Sequence, residues 1–143
     1  MKYSVLGAGA LGSVIGGLMA RDGIDVELWE INQSHLDAIK ANGLRLDLPN
    51  GTEHVSITAC RPEEAEGADV TMLLTKTMQS AAALNSVKNK IDKDTAIISL
   101  QNGLGNAGRV AAQIAEDQVF YGCTMMPGRF LGSGHVACDH KSS

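Results

Sequence analysis

A glycine-rich turn near the N-terminus constrains this chain more than any other feature. Segment 7–12, Gly-Ala-Gly-Ala-Leu-Gly, matches the pattern G-x-G-x-x-G. It follows the apolar run Tyr3–Leu6, and the apolar residues after it have the spacing of one helix face. A strand, a glycine turn and a helix in this order predict a βαβ unit that binds a dinucleotide at the helix N-terminus. A tight turn without a ligand is the alternative.

Each of the three glycines has its own reason to lack a side chain. Gly7 permits the sharp strand-to-helix turn, Gly9 lets a pyrophosphate approach the backbone, and Gly12 lets the helix pack close to the sheet. We expect the whole segment to bind the cofactor, namely Gly7, Ala8, Gly9, Ala10, Leu11 and Gly12.

Glu30 follows a second apolar run, Val26–Trp29, and comes 18 residues after Gly12. A carboxylate at that position accepts hydrogen bonds from the hydroxyls of the adenosine ribose and repels a 2′-phosphate. Residues 31–34 contain no arginine that could hold such a phosphate. The sequence therefore predicts NAD, with NADH preferred over NADPH. The alternative is a solvated glutamate at a strand end.

The rest of the chain alternates short apolar runs with helical periodicity. This alternation predicts an α/β fold of the Rossmann type, with a doubly wound, mostly parallel sheet, and we assign residues 1–143 to one domain. An inserted β-hairpin is expected from strands at 44–48 and 54–58 around a turn at 49–51. The other predicted elements are helices at 11–19, 34–41, 84–91 and 104–114, and strands at 70–74, 96–100 and 119–121.

Composition excludes several classes of protein. A net charge of −4 argues against a nucleic-acid partner. No apolar run approaches the roughly 20 residues of a membrane span, and the N-terminus does not resemble a signal peptide. Three widely spaced cysteines do not form a disulfide framework, so we expect a cytoplasmic protein.

The C-terminal stretch and two histidines carry weaker signals. After Pro127 the apolar residues thin out, which predicts a frayed polar tail and suggests a truncated chain. His135, Cys138 and His140 match no closed zinc pattern, so we expect no metal. The remaining histidines, His35 and His54, have no evident partner and are predicted to lie on the surface.

Two further motifs follow predicted strands. Lys76-Thr77-Met78-Gln79 comes after the strand at 70–74, and Gln101-Asn102-Gly103 after the strand at 96–100. Ligands bind outside the carboxyl ends of strands in open α/β sheets, which is where both motifs fall. Together with segment 7–12, they make the chain resemble the N-terminal domain of the ketopantoate reductases (2-dehydropantoate 2-reductases).

The resemblance implies a role for each matching residue. Lys76 would lie near the nicotinamide end of the cofactor, with Gln79 supporting the pocket, and Asn102 would contact the nicotinamide ribose and the substrate. Gly128, a looser match, would touch the cofactor through its backbone. The alternatives are a solvated loop lysine, a helix-surface glutamine and a plain Asn-Gly turn.

The resemblance also implies a reaction, in which hydride passes from reduced nicotinamide to the keto carbon of 2-dehydropantoate and gives pantoate for pantothenate and coenzyme A. The proton donor in that family is a lysine of a second, helical domain. No residue here matches it, so we expect this chain alone to be inactive or nearly so. Many family members carry a basic residue where this chain has Glu30. This difference leaves open a reductase of another 2-keto acid and a non-catalytic NAD-binding module. Oligomeric state also stays open, a homodimer included.

Overall fold

The computed structural model describes residues 1–74, 87–99, 116–122 and 128–138. The strands of these ranges are β1 (Tyr3–Leu6), β2 (Val26–Trp29), β3 (Leu44–Leu48), β4 (Gly51–Val55), β5 (Thr58–Cys60), β6 (Val70–Leu73), β7 (Ala96–Ser99), β8 (Val119–Tyr121), β9 (Arg129–Gly132) and β10 (His135–Ala137). The helices are α1 (Ala10–Arg21) and α2 (Gln33–Asn42). Single 3-10 turns cover Pro62–Glu64, Lys88–Lys90 and Glu116–Gln118.

Six strands form the main sheet in the order β5-β2-β1-β6-β7-β8. Every neighbouring pair is parallel. The chain thus begins in the centre of the sheet, builds one side outward through β2 and β5, and then returns to build the other side. This order is that of a doubly wound Rossmann-type fold, and it confirms the predicted fold class.

A second sheet has the order β4-β3-β10-β9. The predicted hairpin is present, but its second strand is Gly51–Val55 instead of 54–58. The chain turns directly at Gly51, whose φ of 140° suits glycine, so pairing with β3 begins earlier. Residues Thr58–Cys60 leave the hairpin and join the main sheet beside β2.

The prediction of a frayed tail is wrong for residues 129–138. Strands β9 and β10 form an antiparallel hairpin, and β10 also pairs in parallel with β3. This pairing buries Val136, Ala137 and Cys138 almost completely. Three apolar residues are too short a run to reveal a strand, but a partner strand nearly 90 residues earlier in the chain supplies the missing contacts.

Helix α1 packs closely against both sheets. A Cβ built on Gly16 would lie 2.5 Å from Leu28 of the main sheet, and one built on Gly17 would lie 2.8 Å from Leu44 of the second sheet. The predicted apolar face of α1 is only partly buried outside Val14. Glycines replace large side chains where the helix meets the sheets, so the packing is closer than the apolar spacing alone predicts.

Helix α2 extends one residue beyond the predicted range 34–41 at each end. Asn32 caps its N-terminus by accepting a hydrogen bond from the His35 backbone N–H at 3.3 Å, and Gly43 ends it with a φ of 78°. Leu36 and Ile39 are buried as expected. His35 is also completely buried, so its predicted surface position is wrong, whereas His54 is exposed. Among the described residues, no helix is long and apolar enough to cross a membrane.

Candidate functional site

The carboxyl ends of three neighbouring strands coincide at the glycine-rich segment. Leu6, the last residue of β1, lies between Trp29 of β2 and Leu73 of β6 in the strand register. The chain then turns sharply at Gly7, whose φ of 99° is readily adopted only by glycine. The Gly7 N–H donates to the Trp29 carbonyl at 3.0 Å. The segment therefore starts from a fixed point at the centre of the sheet edge.

Gly9 and Gly12 differ in what surrounds them. A Cβ built on Gly9 would meet no atom within 4 Å, so the space beside its backbone is open. A Cβ built on Gly12 would lie 2.1 Å from the Gly7 carbonyl oxygen and 3.1 Å from Val5. Gly12 is thus required by packing inside the protein, whereas Gly9 leaves open space in which a ligand could approach the backbone.

The N-terminus of α1 opens onto this space. Gly9 is its N-cap and provides no side chain to accept from the first turn, which also contains no acidic residue. The first helical hydrogen bond runs from the Ser13 N–H to the Gly9 carbonyl at 3.0 Å. The preceding N–H groups of the first turn have no helical acceptor, and they point along the positive end of the helix dipole. Such an end suits an anion.

Gly128 lies against the same helix end. A Cβ built on it would come within 3.2 Å of backbone atoms of Ala10 and Leu11. The chain thus returns, more than a hundred residues later, to within backbone contact of the glycine-rich segment. Gly128, the looser of the sequence matches, therefore lies next to segment 7–12, the strongest one.

Glu30 stands at the end of β2 and is partly buried. Its carboxylate accepts from the Ile31 N–H at 2.8 Å and, at a longer 3.4 Å, from the Asn32 N–H. Its own N–H donates to the Cys60 carbonyl at 3.0 Å. These bonds hold the Glu30 carboxylate at the sheet edge, one strand away from the glycine-rich segment.

Arg61 is a residue of this edge that sequence reasoning missed. It follows β5, which pairs with β2, so the strand ends bring it next to the chain after Glu30. Its guanidinium donates to the Ile31 carbonyl at 3.0 Å, to Gln33 at 3.3 Å and to the Glu63 carboxylate at 2.8 Å. The Glu63 carboxylate raises the pKa of Arg61, which is charged at any physiological pH. Only the pairing of β5 with β2 could have revealed this neighbour.

Three predicted site residues, Lys76, Gln79 and Asn102, lie outside the described residues. Of the strands that precede them in the sequence, β6 lies next to β1 and β7 lies next to β6 in the main sheet. Cys123 and His140 also lie outside the described residues.

His135 and Cys138 of the C-terminal hairpin both have structural roles. The His135 Nε2 lies 2.7 Å from the Asp47 carboxylate, across the pairing of β10 with β3. Hydrogen bonds from His135 and Thr52 lower the pKa of Asp47. Cys138 is buried in the core. Within the described ranges, no three histidine, cysteine or acidic side chains are grouped so that they could hold a metal ion.

Comparison with known proteins identifies relatives along nearly the whole chain. Residues 3–142 match the family model described as "Ketopantoate reductase PanE/ApbA". The 2-dehydropantoate 2-reductase of Pyrococcus horikoshii is 40% identical over 112 residues, which are 77% of this chain and 36% of that protein. The enzyme of the same name from Lactococcus lactis is 33% identical over 138 residues, which are 94% of this chain and 44% of the relative.

A solved structure shares the fold closely. The ternary structure of D-mandelate dehydrogenase with NADH and anilino(oxo)acetate superposes with a TM-score of 0.93 at 28% sequence identity. The match covers 98% of this chain and 46% of the dehydrogenase. The chain thus spans less than half the length of each of these relatives.

Proposed function

The chain belongs to the ketopantoate reductase family, and from this premise we propose that it forms the cofactor-binding part of a reductase that converts 2-dehydropantoate to pantoate. The observation that carries the proposal is the open backbone at Gly9, placed at an uncapped helix N-terminus on the carboxyl edge of a Rossmann-type sheet. Reduced nicotinamide would supply a hydride to the keto carbon of the substrate.

The residues present fit a dinucleotide. The pyrophosphate would lie over Gly9 and accept from the first N–H groups of α1, since a side chain there would fill the space that it needs. The backbone of Gly128 would border the same space. Glu30 would accept from the ribose hydroxyls of the adenosine half, because its carboxylate is held at the adjacent strand end.

Three residues outside the described ranges complete the proposal. Lys76 and Gln79 would lie near the nicotinamide half, and Asn102 would orient the nicotinamide ribose and the substrate. The general acid would come from a second domain of the full-length protein. We therefore keep the prediction that residues 1–143 alone bind cofactor and turn over little.

We propose that NADH is preferred over NADPH. The Glu30 carboxylate would repel a 2′-phosphate, while Arg61 would attract one from the neighbouring strand end. Arg61 is already bound to three acceptors, one of them the carboxylate of Glu63. Part of its charge is thereby neutralised, so the repulsion from Glu30 should dominate.

Titration of both cofactors into the purified protein tests this preference. We expect NADH to bind more tightly, and we expect Glu30→Gln to narrow the difference because it removes the negative charge. Glu53→Gln is the matched control, since Glu53 is exposed and pairs with Arg21 at the far end of α1. Tighter binding of NADPH to the unaltered protein would refute the role given to Glu30.

A second candidate is the reduction of another 2-keto acid. The close superposition on D-mandelate dehydrogenase with NADH favours it, because mandelate is an aromatic 2-hydroxy acid. NADH oxidation by the full-length protein against a panel of aliphatic and aromatic 2-keto acids separates the two. Turnover of 2-dehydropantoate alone supports the first proposal, and turnover of an aromatic acid instead supports the second. Tight NADH binding without turnover of any acid would point to a non-catalytic module.

A further inference from the structure

Three buried polar groups connect the glycine-rich segment to the distant turn between β9 and β10. The Gly134 N–H lies 2.8 Å from the Nδ1 atom of His35. The Nε2 atom of the same ring lies 3.0 Å from the Ser13 hydroxyl, which donates to the Ala8 carbonyl at 2.8 Å. His35, Ser13 and Ala8 are all fully buried. The chain of bonds therefore runs without contact with solvent.

The direction of every bond in this chain is fixed by chemistry. A backbone N–H can only donate, so His35 Nδ1 must accept from Gly134 and carry no proton. The neutral ring then carries its proton on Nε2 and donates to Ser13. The Ser13 hydroxyl accepts this hydrogen bond and donates its own to the Ala8 carbonyl oxygen. Each group uses its donor and acceptor once, and none is left unsatisfied.

The surroundings of the ring favour this neutral form. Burial lowers the pKa of His35, and this outweighs the negative charge of Glu30 and the hydrogen bond to the Ala8 backbone, which both act in the opposite direction. The aromatic ring of Phe130 also lies beside the imidazole, with the two ring centroids 5.0 Å apart. Gly134 is pressed against α2, since a Cβ on it would lie 2.8 Å from that of Ala38. The turn and the ring thus have little freedom to move apart.

Ala8 is the residue between the two glycines at which the chain turns from β1 into α1. Its carbonyl direction fixes the plane of the peptide that joins it to Gly9, and the Gly9 backbone borders the open space described above. We propose that His35 is a positioning residue for dinucleotide binding, which acts through Ser13 to hold the backbone of the glycine-rich segment in its binding conformation. The inference rests on the proposed function.

Protonation of the ring would break this arrangement. A proton on Nδ1 would face the Gly134 N–H across 2.8 Å, so two donors would oppose one another. The buried cation would have no acceptor in that direction. Affinity for the dinucleotide should therefore fall as the solution becomes acidic enough to protonate His35.

Ser13→Ala tests the connection, and Ser4→Ala is its matched control. Ser4 is equally buried, and its hydroxyl bonds to Thr71 at 2.8 Å within the main sheet, away from the glycine-rich segment. Ser13→Ala removes two buried hydrogen bonds and Ser4→Ala removes one, so both variants should lose thermal stability and Ser13→Ala should lose more. We expect Ser13→Ala to raise the Kd for NADH by about three- to tenfold, and Ser4→Ala to leave it unchanged. Equal Kd values in the two variants would overturn the inference.

Two variants of His35 distinguish the hydrogen bond at Nδ1 from the one at Nε2. Gln places an amide nitrogen near the position of Nε2 and can still donate to Ser13, whereas Asn can accept from Gly134 but does not reach Ser13. We expect His35→Gln to keep most of the NADH affinity and His35→Asn to lose it in the manner of Ser13→Ala. Equal affinity of the two variants would show that the bond to Ser13 does not matter for binding.

A pH series on NAD⁺, which tolerates acid better than NADH, completes the test. The Kd of the unaltered protein should rise as the pH falls below 6.5, because folding lowers the pKa of His35 from that value. The rise should be smaller in His35→Gln, which lacks the imidazole and keeps the Glu30 carboxylate. Histidine nitrogen NMR of the free protein should show the Nε2–H tautomer. An Nδ1–H tautomer, or identical pH profiles, would overturn the inference. Absence of any dinucleotide binding by the unaltered protein would instead refute the proposed function, and this inference with it.

Discussion

Gly12 and Gly9 offer a paired test of how the glycine-rich segment works. In Gly12→Ala the new Cβ would lie 2.1 Å from the Gly7 carbonyl oxygen, which is at least about 1.3 Å closer than an ordinary van der Waals contact. The Gly7 oxygen belongs to the backbone and the Cβ is fixed to the backbone of α1, so neither atom can rotate away and the start of α1 must withdraw from the sheet. Overpacking of this kind costs about 1–3 kcal/mol, from which the better helix propensity of alanine recovers up to about 1 kcal/mol.

The net loss is therefore about 1–2 kcal/mol, which lowers Tm by about 2–8 °C in a domain of this size. Gly9→Ala should behave differently, because its Cβ would meet no atom within 4 Å and its φ of −71° suits alanine. We expect its stability to fall by no more than about 1 kcal/mol. Its Kd for NADH should nevertheless rise more than about tenfold, because the methyl group would occupy the pyrophosphate space.

Thermal unfolding and NADH titration of both variants distinguish these effects. Gly12→Ala should lower mainly the stability and Gly9→Ala mainly the NADH affinity, because Gly12 is required by internal packing and Gly9 by the ligand. Normal NADH binding by Gly9→Ala would refute the placement of the pyrophosphate. A Gly12→Ala protein with the same Tm as the unaltered protein would refute the packing argument.

Four other predictions each concern a single residue. Arg61→Ala should weaken NADPH binding about three- to tenfold and leave NADH binding within about twofold, as titration of each would show. Burial raises the pKa of Cys60 to about 11, so its thiol should react with iodoacetamide near pH 8 much more slowly in the folded than in the unfolded protein. In the full-length enzyme, Asn102→Ala should slow keto-acid reduction far more than it weakens cofactor binding; unchanged turnover would mark the motif as a turn. Because the pKa of His35 is lowered by folding, the unfolded chain binds the extra proton, and the free energy of unfolding should decrease as pH falls below 6.5; His35→Gln should reduce this slope in denaturant titrations.

The central part of the fold could be predicted because its signals are local. Three of the four residues in each of the strands β1, β2 and β6 are apolar, and Gly7 and Gly43 mark the ends of elements where a positive φ is needed. The same holds for the glycine-rich segment, whose pattern is short and contiguous. Here composition, spacing and backbone geometry agree.

The wrong predictions concern residues whose partners are distant in the sequence. His35 looks like a polar residue on an amphipathic helix, and its burial depends on Gly134, which follows 99 residues later. Strand β10 contains three residues and is stable because β3 pairs with it. No local pattern contains such information, since the apolar contacts exist only after the two sheets have formed around α1.

Arg61 shows why a cofactor preference cannot be inferred from one strand end alone. The usual inference considers the acidic residue after β2 and the few residues that follow it. In a parallel sheet, however, the carboxyl ends of adjacent strands meet at one edge, so the residue after β5 faces the same space as the residue after β2. Here that pairing puts a guanidinium 3.0 Å from the Ile31 carbonyl, directly after Glu30. The preference between NADH and NADPH should therefore depend on the balance of Glu30, Arg61 and Glu63 together, and a change in any one charge should alter it.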